Sequence, residues 1–107
     1  MKQDVKEKWV AALRSNKYKQ GRSRLRNSDD TYCCLGVLCD VVDNSKWNLS
    51  ANGEWYSYSD DNDGDDGWIY SVSKDLLPDD NMQGDLMGMN DHGKSFTEIA
   101  DYIEQNL

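Results

Sequence analysis

Arg22, Arg24 and Arg26 alternate with Ser23 and Leu25, and in an extended strand that spacing aims three guanidinium groups at one face. A guanidinium is a planar fork that pairs with phosphate through two hydrogen bonds. Lys19 and Tyr18 stand just upstream. Gly21 precedes the run, where the absence of a Cβ lets a ligand come close to the backbone. Tyr18, Lys19, Gly21, Arg22, Arg24 and Arg26 are therefore the expected ligand-binding set. Their ligand would be a nucleotide or another phosphate-bearing small molecule, with an aromatic side chain stacked on its base. The competing expectation is that the arginines pair with the protein's own aspartates. No Walker loop and no dinucleotide-binding glycine pattern occurs in the chain, so an ordinary nucleotide enzyme is not expected, and no cofactor is assigned.

Cys33, Cys34 and Cys39 form a second group. A thiolate at a helix start is stabilised by the helix dipole, and His92 with a nearby aspartate would complete a nucleophile and base. Against this, the cysteines lie in the most apolar run of the chain, where thiols pack as small hydrophobes. No catalytic residue is assigned on this evidence. For zinc, Cys33, Cys34, Cys39 and His92 supply four donors, but adjacent cysteines lack the usual ligand spacing, and no metal ligand is assigned. The aspartates at 61, 63 and 65 alternate around Gly64. An EF-hand loop counted from that glycine puts Ser59 first and Tyr70 twelfth, where carboxylates are needed, so that match fails; residues 60–66 read first as a solvated hairpin tip, with a weak calcium or magnesium site as the alternative.

The elements that must position these groups are legible from periodicity. Val5, Trp9, Ala12 and Leu13 mark one helix face within residues 4–15, with Asp4 and Glu7 as a starting pair and Asn16 at its end. Residues 18–27 switch to period two and read as a strand, Asn27-Ser28-Asp29-Asp30 is turn chemistry, and residues 31–33 return as its partner. The run from Tyr32 to Val42 then reads as a strand end passing into a buried helix over residues 34–43. Asn52-Gly53 between Trp47-Asn48-Leu49 and Trp55-Tyr56-Ser57-Tyr58 is a hairpin signal, and residues 67–72 would add a third strand. Pro78 closes that region. Ser95-Phe96-Thr97-Glu98 is a capping box, followed by an apolar face of Phe96, Ile99, Ala100, Ile103 and Leu107. The expected fold is α+β in a single domain over 1–107: an antiparallel meander sheet of about four to five strands packed against about three helices.

The net charge of −8 conceals an asymmetry, since residues 1–26 hold nine of the twelve Lys and Arg while residues 27–107 hold eighteen of the twenty acids. Internal neutralisation is the simpler account, and a basic patch for an anionic ligand the sharper one. Three cysteines without a disulfide-framework spacing, and an amino terminus without an apolar signal region, point to reduced thiols in a cytoplasm. No run is long enough to span a membrane.

Four motifs occur in order: Lys8-Trp9-Val10 to Leu13; Tyr18-x-Gln20-Gly21-Arg22-x-Arg24-Leu25; Cys33-Cys34-Leu35-Gly36-Val37-Leu38-Cys39-Asp40; and Asn90-Asp91-x-Gly93-Lys94-Ser95-Phe96-x-Glu98-Ile99-Ala100-Asp101. On these the chain resembles a family of small, mostly uncharacterised proteins encoded by bacteriophages and prophages. The resemblance implies a phage accessory protein working in the cytoplasm of the bacterial host. It carries over no catalytic residue, and His92 stands where that family has small polar residues. The leading expectation is a counter-defence binder that sequesters an anionic molecule such as a nucleotide signal. The alternative is an inhibitor that docks its acidic face on a host protein, and a small cysteine-dependent enzyme comes third. Self-association is a further partner expectation, and direct nucleic-acid binding is not expected.

Overall fold

The computed structural model describes residues 2–58, Leu77 and residues 80–107. Helix α1 spans Gln3–Arg14 and buries Trp9, Val10 and Leu13. It starts one residue before the expected Asp4, and its N-cap residue, Lys2, makes no side-chain cap. Asp4 lies in the first turn, where its charge suits the helix dipole. Asn16 follows the helix with φ 62°, the left-handed conformation that ends helices and that Asn tolerates.

Helix α2, Cys34–Val42, is the buried centre, with Cys34 to Cys39 all enclosed. Cys33 caps it, its sulfur accepting from the Gly36 N–H at 3.4 Å. Gly36 has a steric reason to be glycine: a Cβ there would stand 1.8 Å from the Leu25 carbonyl oxygen. Around this contact the Cys33 N–H donates to the same carbonyl at 3.1 Å. The indole N–H of Trp9 donates to the Cys34 carbonyl at 2.8 Å, so the buried ring keeps its polar atom satisfied. The cysteine-rich motif is thus a packing device that seats α2 between α1 and the loop before β2.

The sheet has five short strands among the described residues: β1 (Lys19–Gln20), β2 (Arg26–Asn27), β3 (Thr31–Tyr32), β4 (Trp47–Leu49) and β5 (Trp55–Tyr58), in the order β1-β3-β2-β5-β4. Two expectations are corrected here. Residues 18–27 are not one strand, because the chain leaves the sheet after Gln20 and re-enters at Arg26. The sheet is also not wholly antiparallel, since β1 pairs with β3 in parallel. Both follow from one excursion, residues 21–30, which carries β2 past β3 and leaves β1 and β3 running the same way. The β4–β5 hairpin forms as expected, with Leu49 opposite Tyr56 and Gly53 at φ 72°. The expected third strand over 67–72, the acidic tip over 60–66 and Pro78 lie outside the described residues.

Among the described residues four α-helices pack with this sheet, not three. The additional one, α3 (Asp80–Asp91), buries Met82, Leu86 and Asn90 at four-residue spacing. Helix α4 (Phe96–Asn106) carries the full capping box and buries Phe96, Ile99, Ala100 and Ile103. It pairs with α1 through Arg14, whose guanidinium binds Asp101 at 2.5 Å and Glu104 at 2.6 Å. This contact is the internal neutralisation expected between the basic amino-terminal part and the acidic remainder. No helix among the described residues is long and apolar enough to cross a membrane.

Candidate functional site

The register assigns every strand side chain to one of two faces. Gln20, Tyr32, Arg26, Tyr56 and Leu49 fall in one row across the sheet, joined by Trp47 and Tyr58. This face looks toward the helices, because the Trp47 indole N–H donates to Asp40 of α2 at 2.9 Å and Gln20 donates to Asn90 of α3 at 2.9 Å. Lys19, Thr31, Asn27 and Trp55 form the row on the opposite face, with Ser57 and Asn48 beside them.

The three arginines do not share a face. Arg26 lies among the aromatic side chains, its guanidinium carbon 3.9 Å from the Tyr56 ring centre, 5.1 Å from Tyr32 and 5.5 Å from Trp47. Its Nε and one terminal nitrogen both reach the same oxygen of Asp30, at 3.2 and 2.6 Å. Its side chain is 17% exposed. Such a guanidinium is an internal counter-ion and aromatic spacer, as the competing expectation held.

Arg24 lies on the polar face, 4.9 Å above the Trp55 ring. It forms no ion pair among the described residues. Among the described residues its only side-chain hydrogen bond is a 3.4 Å contact from one terminal nitrogen to Asn27, and its buried Nε has no partner. Arg22 is exposed and turns the other way, toward Gly93 in the turn between α3 and α4, 3.7 Å from where a Cβ on that glycine would stand. The two part company at Ser23, which has φ 75°, while the Arg24 N–H closes back on the Arg22 carbonyl at 2.9 Å. That is a γ-turn of the rare, strained hand. The strand expected here cannot form across it, which is why the alternating pattern did not translate into one face.

The other expected residues are placed as follows. Lys19 is exposed on the polar face beside Thr31, and its charge helps hold Asp29 below the ordinary carboxylate range, after the larger effect of the Thr31 hydroxyl hydrogen bond. Tyr18 faces the helices, donating its hydroxyl to Asp40 at 2.6 Å, and burial and that bond raise its pKa. Gly21 does not admit a ligand. Its missing Cβ makes room for Thr31, whose hydroxyl oxygen would lie 2.4 Å from that atom. Its N–H donates to the Tyr32 carbonyl at 2.7 Å and its carbonyl accepts from Asn90 at 2.8 Å.

The cysteine chemistry does not assemble. All three thiols are buried, and burial pushes Cys33 up to about 11 and Cys34 and Cys39 well above the ordinary thiol value. His92 is exposed at the end of α3 with Nδ1 donating to the Gly88 carbonyl at 2.7 Å, and no hydrogen bond joins it to a cysteine among the described residues. No group of three His, Cys, Asp or Glu among the described residues is placed to hold a metal ion.

Two residues of the site escaped sequence reasoning as specific partners. Trp55 was legible only as one aromatic of a hairpin, and Asn27 only as a turn residue. Their alignment under Arg24 depends on the β2–β5 register, which no local pattern encodes.

No curated protein matches the chain, and no solved structure does. A family model described as Domain of unknown function (DUF8296) matches residues 1–107, the whole of the sequence, and the protein belongs to that family.

Proposed function

We propose that this protein is a non-catalytic binding protein that captures a phosphate-bearing small molecule, such as a nucleotide signal, on the polar face of its sheet. The observation that carries this reading is Arg24. A guanidinium held against a tryptophan ring, with no acid paired to it among the described residues and a single long hydrogen bond to Asn27, has terminal N–H donors to offer an external anion. Lys19 adds charge on the same face, and Asn27 and Trp55 border the guanidinium. The setting would be that of a phage accessory protein acting against a host defence signal in the bacterial cytoplasm. The alternative, a host protein docked on the acidic face, draws less support, because Asp101 and Glu104 are already bound by Arg14.

The test is a thermal-shift panel of nucleotides and cyclic nucleotides, followed by titration of Arg24→Ala and Arg24→Lys. A charge-assisted hydrogen bond contributes roughly 1.5–3 kcal/mol, so Arg24→Ala should weaken binding about ten- to a hundred-fold. Arg24→Lys should recover only part of that, since an ammonium cannot offer the bidentate fork. A wild-type protein that binds none of the panel, or an Arg24→Ala protein with unchanged affinity, overturns the reading.

A further inference from the structure

The chain contains one Asn-Gly pair, Asn52-Gly53, and it lies in the turn between β4 and β5. Both residues are exposed, and nothing stands within 4 Å of where a Cβ on Gly53 would be. A backbone nitrogen can attack the side-chain carbonyl of the asparagine before it, and glycine hinders that attack least because it has no Cβ. A nucleophile tethered within reach of its electrophile reacts far faster than two separate molecules.

The turn also fixes where the Asn52 carboxamide lies. Its oxygen accepts from the Ser50 hydroxyl at 2.7 Å and from the Glu54 N–H at 3.2 Å. The bond from Glu54 spans two residues and closes an Asx-turn, which folds the side chain over the Gly53 amide between them. The Ser50 oxygen itself accepts from the N–H groups of Glu54 and Trp55, at 3.1 and 3.2 Å, so its own proton is free to point at Asn52. Two donors on one carbonyl oxygen draw electron density from Cγ and stabilise the negative charge that builds on that oxygen during attack. The Gly53 N–H is held by one bond, to the Ser50 carbonyl at 3.0 Å, at a loop tip where such bonds open readily.

Two other asparagines precede a small residue, and both are restrained differently. Asn27, before Ser28, ties its carboxamide nitrogen to the Arg22 carbonyl and the Thr31 hydroxyl. Asn44 precedes Ser45, whose N–H donates to the Asp43 carboxylate at 3.0 Å, which opposes loss of that proton.

We propose that Asn52, held by this turn, is a self-modification site that the folded protein converts to aspartate and isoaspartate. The Gly53 nitrogen gives its proton to solvent and bonds to Asn52 Cγ. The Cγ–Nδ2 bond breaks, and the nitrogen takes a proton from water and leaves as ammonia. A water molecule then opens the cyclic imide. Addition at Cγ gives aspartate, and addition at the Asn52 backbone carbonyl gives isoaspartate, with one more methylene in the main chain. The step needs water and no oxidant or reductant. Either product adds a negative charge directly before Glu54 and the strand that carries Trp55.

The experiment incubates the full-length protein at mildly alkaline pH, which favours loss of the Gly53 amide proton, and samples it over days. Peptide mapping by mass spectrometry follows each asparagine, and enzymatic carboxyl methylation reads isoaspartate. The peptide carrying the turn should exchange ammonia for water ahead of those carrying Asn27 and Asn44, with isoaspartate among its products. Gly53→Ala should lose most of that conversion. Alanine at φ 72° also strains the turn, so Ser50→Ala provides a second arm: with Gly53 kept and one donor to the carboxamide removed, conversion should slow. Asn52→Gln should leave the turn peptide unconverted over the same period. No conversion at Asn52, conversion no faster than at Asn27 or Asn44, or a Ser50→Ala protein as fast as wild type each overturns the proposal.

Discussion

Arg24 and Arg26 are two residues apart on one segment, yet they sit on opposite faces of the sheet and in opposite chemical states. Arg26 is enclosed by Tyr32, Trp47 and Tyr56 and bound to Asp30. Arg24 touches one ring and no acid among the described residues. The rings around Arg26 are themselves chained edge to face, Tyr18 to Tyr32 at 5.1 Å, Tyr32 to Trp47 at 6.1 Å, and Trp47 to Tyr58 at 5.1 Å. The comparison teaches that a guanidinium's role is set by how many of its donors and faces the fold has already engaged, not by its residue type or its exposure alone. On the aromatic face the cation stabilises the protein. On the polar face it rests on one ring and meets no acid among the described residues.

The most disruptive way to break the comparison is Gly36→Ala. The new methyl would meet the Leu25 carbonyl at 1.8 Å, so α2 must separate from the segment that carries both arginines. A backbone clash in the centre of a packed core should cost about 3–5 kcal/mol. Urea denaturation followed by tryptophan fluorescence would measure it, and a variant as stable as wild type would show that the contact is not close in solution.

Arg26→Ala and Arg24→Ala should separate cleanly. Losing Arg26 removes a largely enclosed cation from three ring faces and should lower stability by about 2–3 kcal/mol. Phosphate affinity of the folded fraction should stay near wild type. Arg24→Ala should do the reverse, leaving the melting temperature within a few degrees while affinity falls. Measuring both quantities on both variants sharpens the contrast, and equal stability losses would erase it.

Acid titration probes a third region, where α1 meets α4. The Arg14 hydrogen bond holds Glu104 below the ordinary carboxylate range, and the Ser95 backbone N–H does the same for Glu98 in the capping box. Both folded values are depressed, so the unfolded chain takes up these protons first as pH falls. Their contribution is fully present above the unfolded value of 4.5 and disappears as pH drops through the folded one. Stability measured from pH 6 to pH 3 should decline below that point, and the decline should be shallower in Arg14→Ala.

The smallest expected effect is at Ser23. Glycine at φ 75° carries no side-chain penalty, so Ser23→Gly should gain about 0.5–1 kcal/mol of stability. It should also weaken, by a few-fold, binding of whichever phosphate ligand the thermal-shift panel selects, because the loop that carries Arg24 then samples other geometries. Thermal melts and titration with that ligand would read both, and tighter binding would contradict a role for the γ-turn in holding Arg24.

Much of this architecture is local and so was legible without coordinates. The capping box at Ser95, the apolar spacing of α1, the compact run of α2 and the Asn52-Gly53 hairpin each specify their element within a dozen residues. The buried state of the three cysteines followed from the run in which they lie. Helix α3 was not legible, because Gly84 and Gly88 lower its intrinsic helicity and its buried stripe ends in a polar residue, Asn90. Its face is completed by contacts to Gly21 and Gln20, about seventy positions away.

The candidate site divides the same way. The sequence by itself determined that this segment would present arginines near aromatic side chains, since residue identity alone sets the charge and the planar fork. Only the tertiary structure decided that Arg26 is enclosed, Arg24 is left on Trp55 and Arg22 is carried to the α3–α4 turn. The physical reason is that a single backbone angle at Ser23, stabilised by Asp91 and Asn90 from a distant helix, overrides the two-residue alternation that local geometry would otherwise impose.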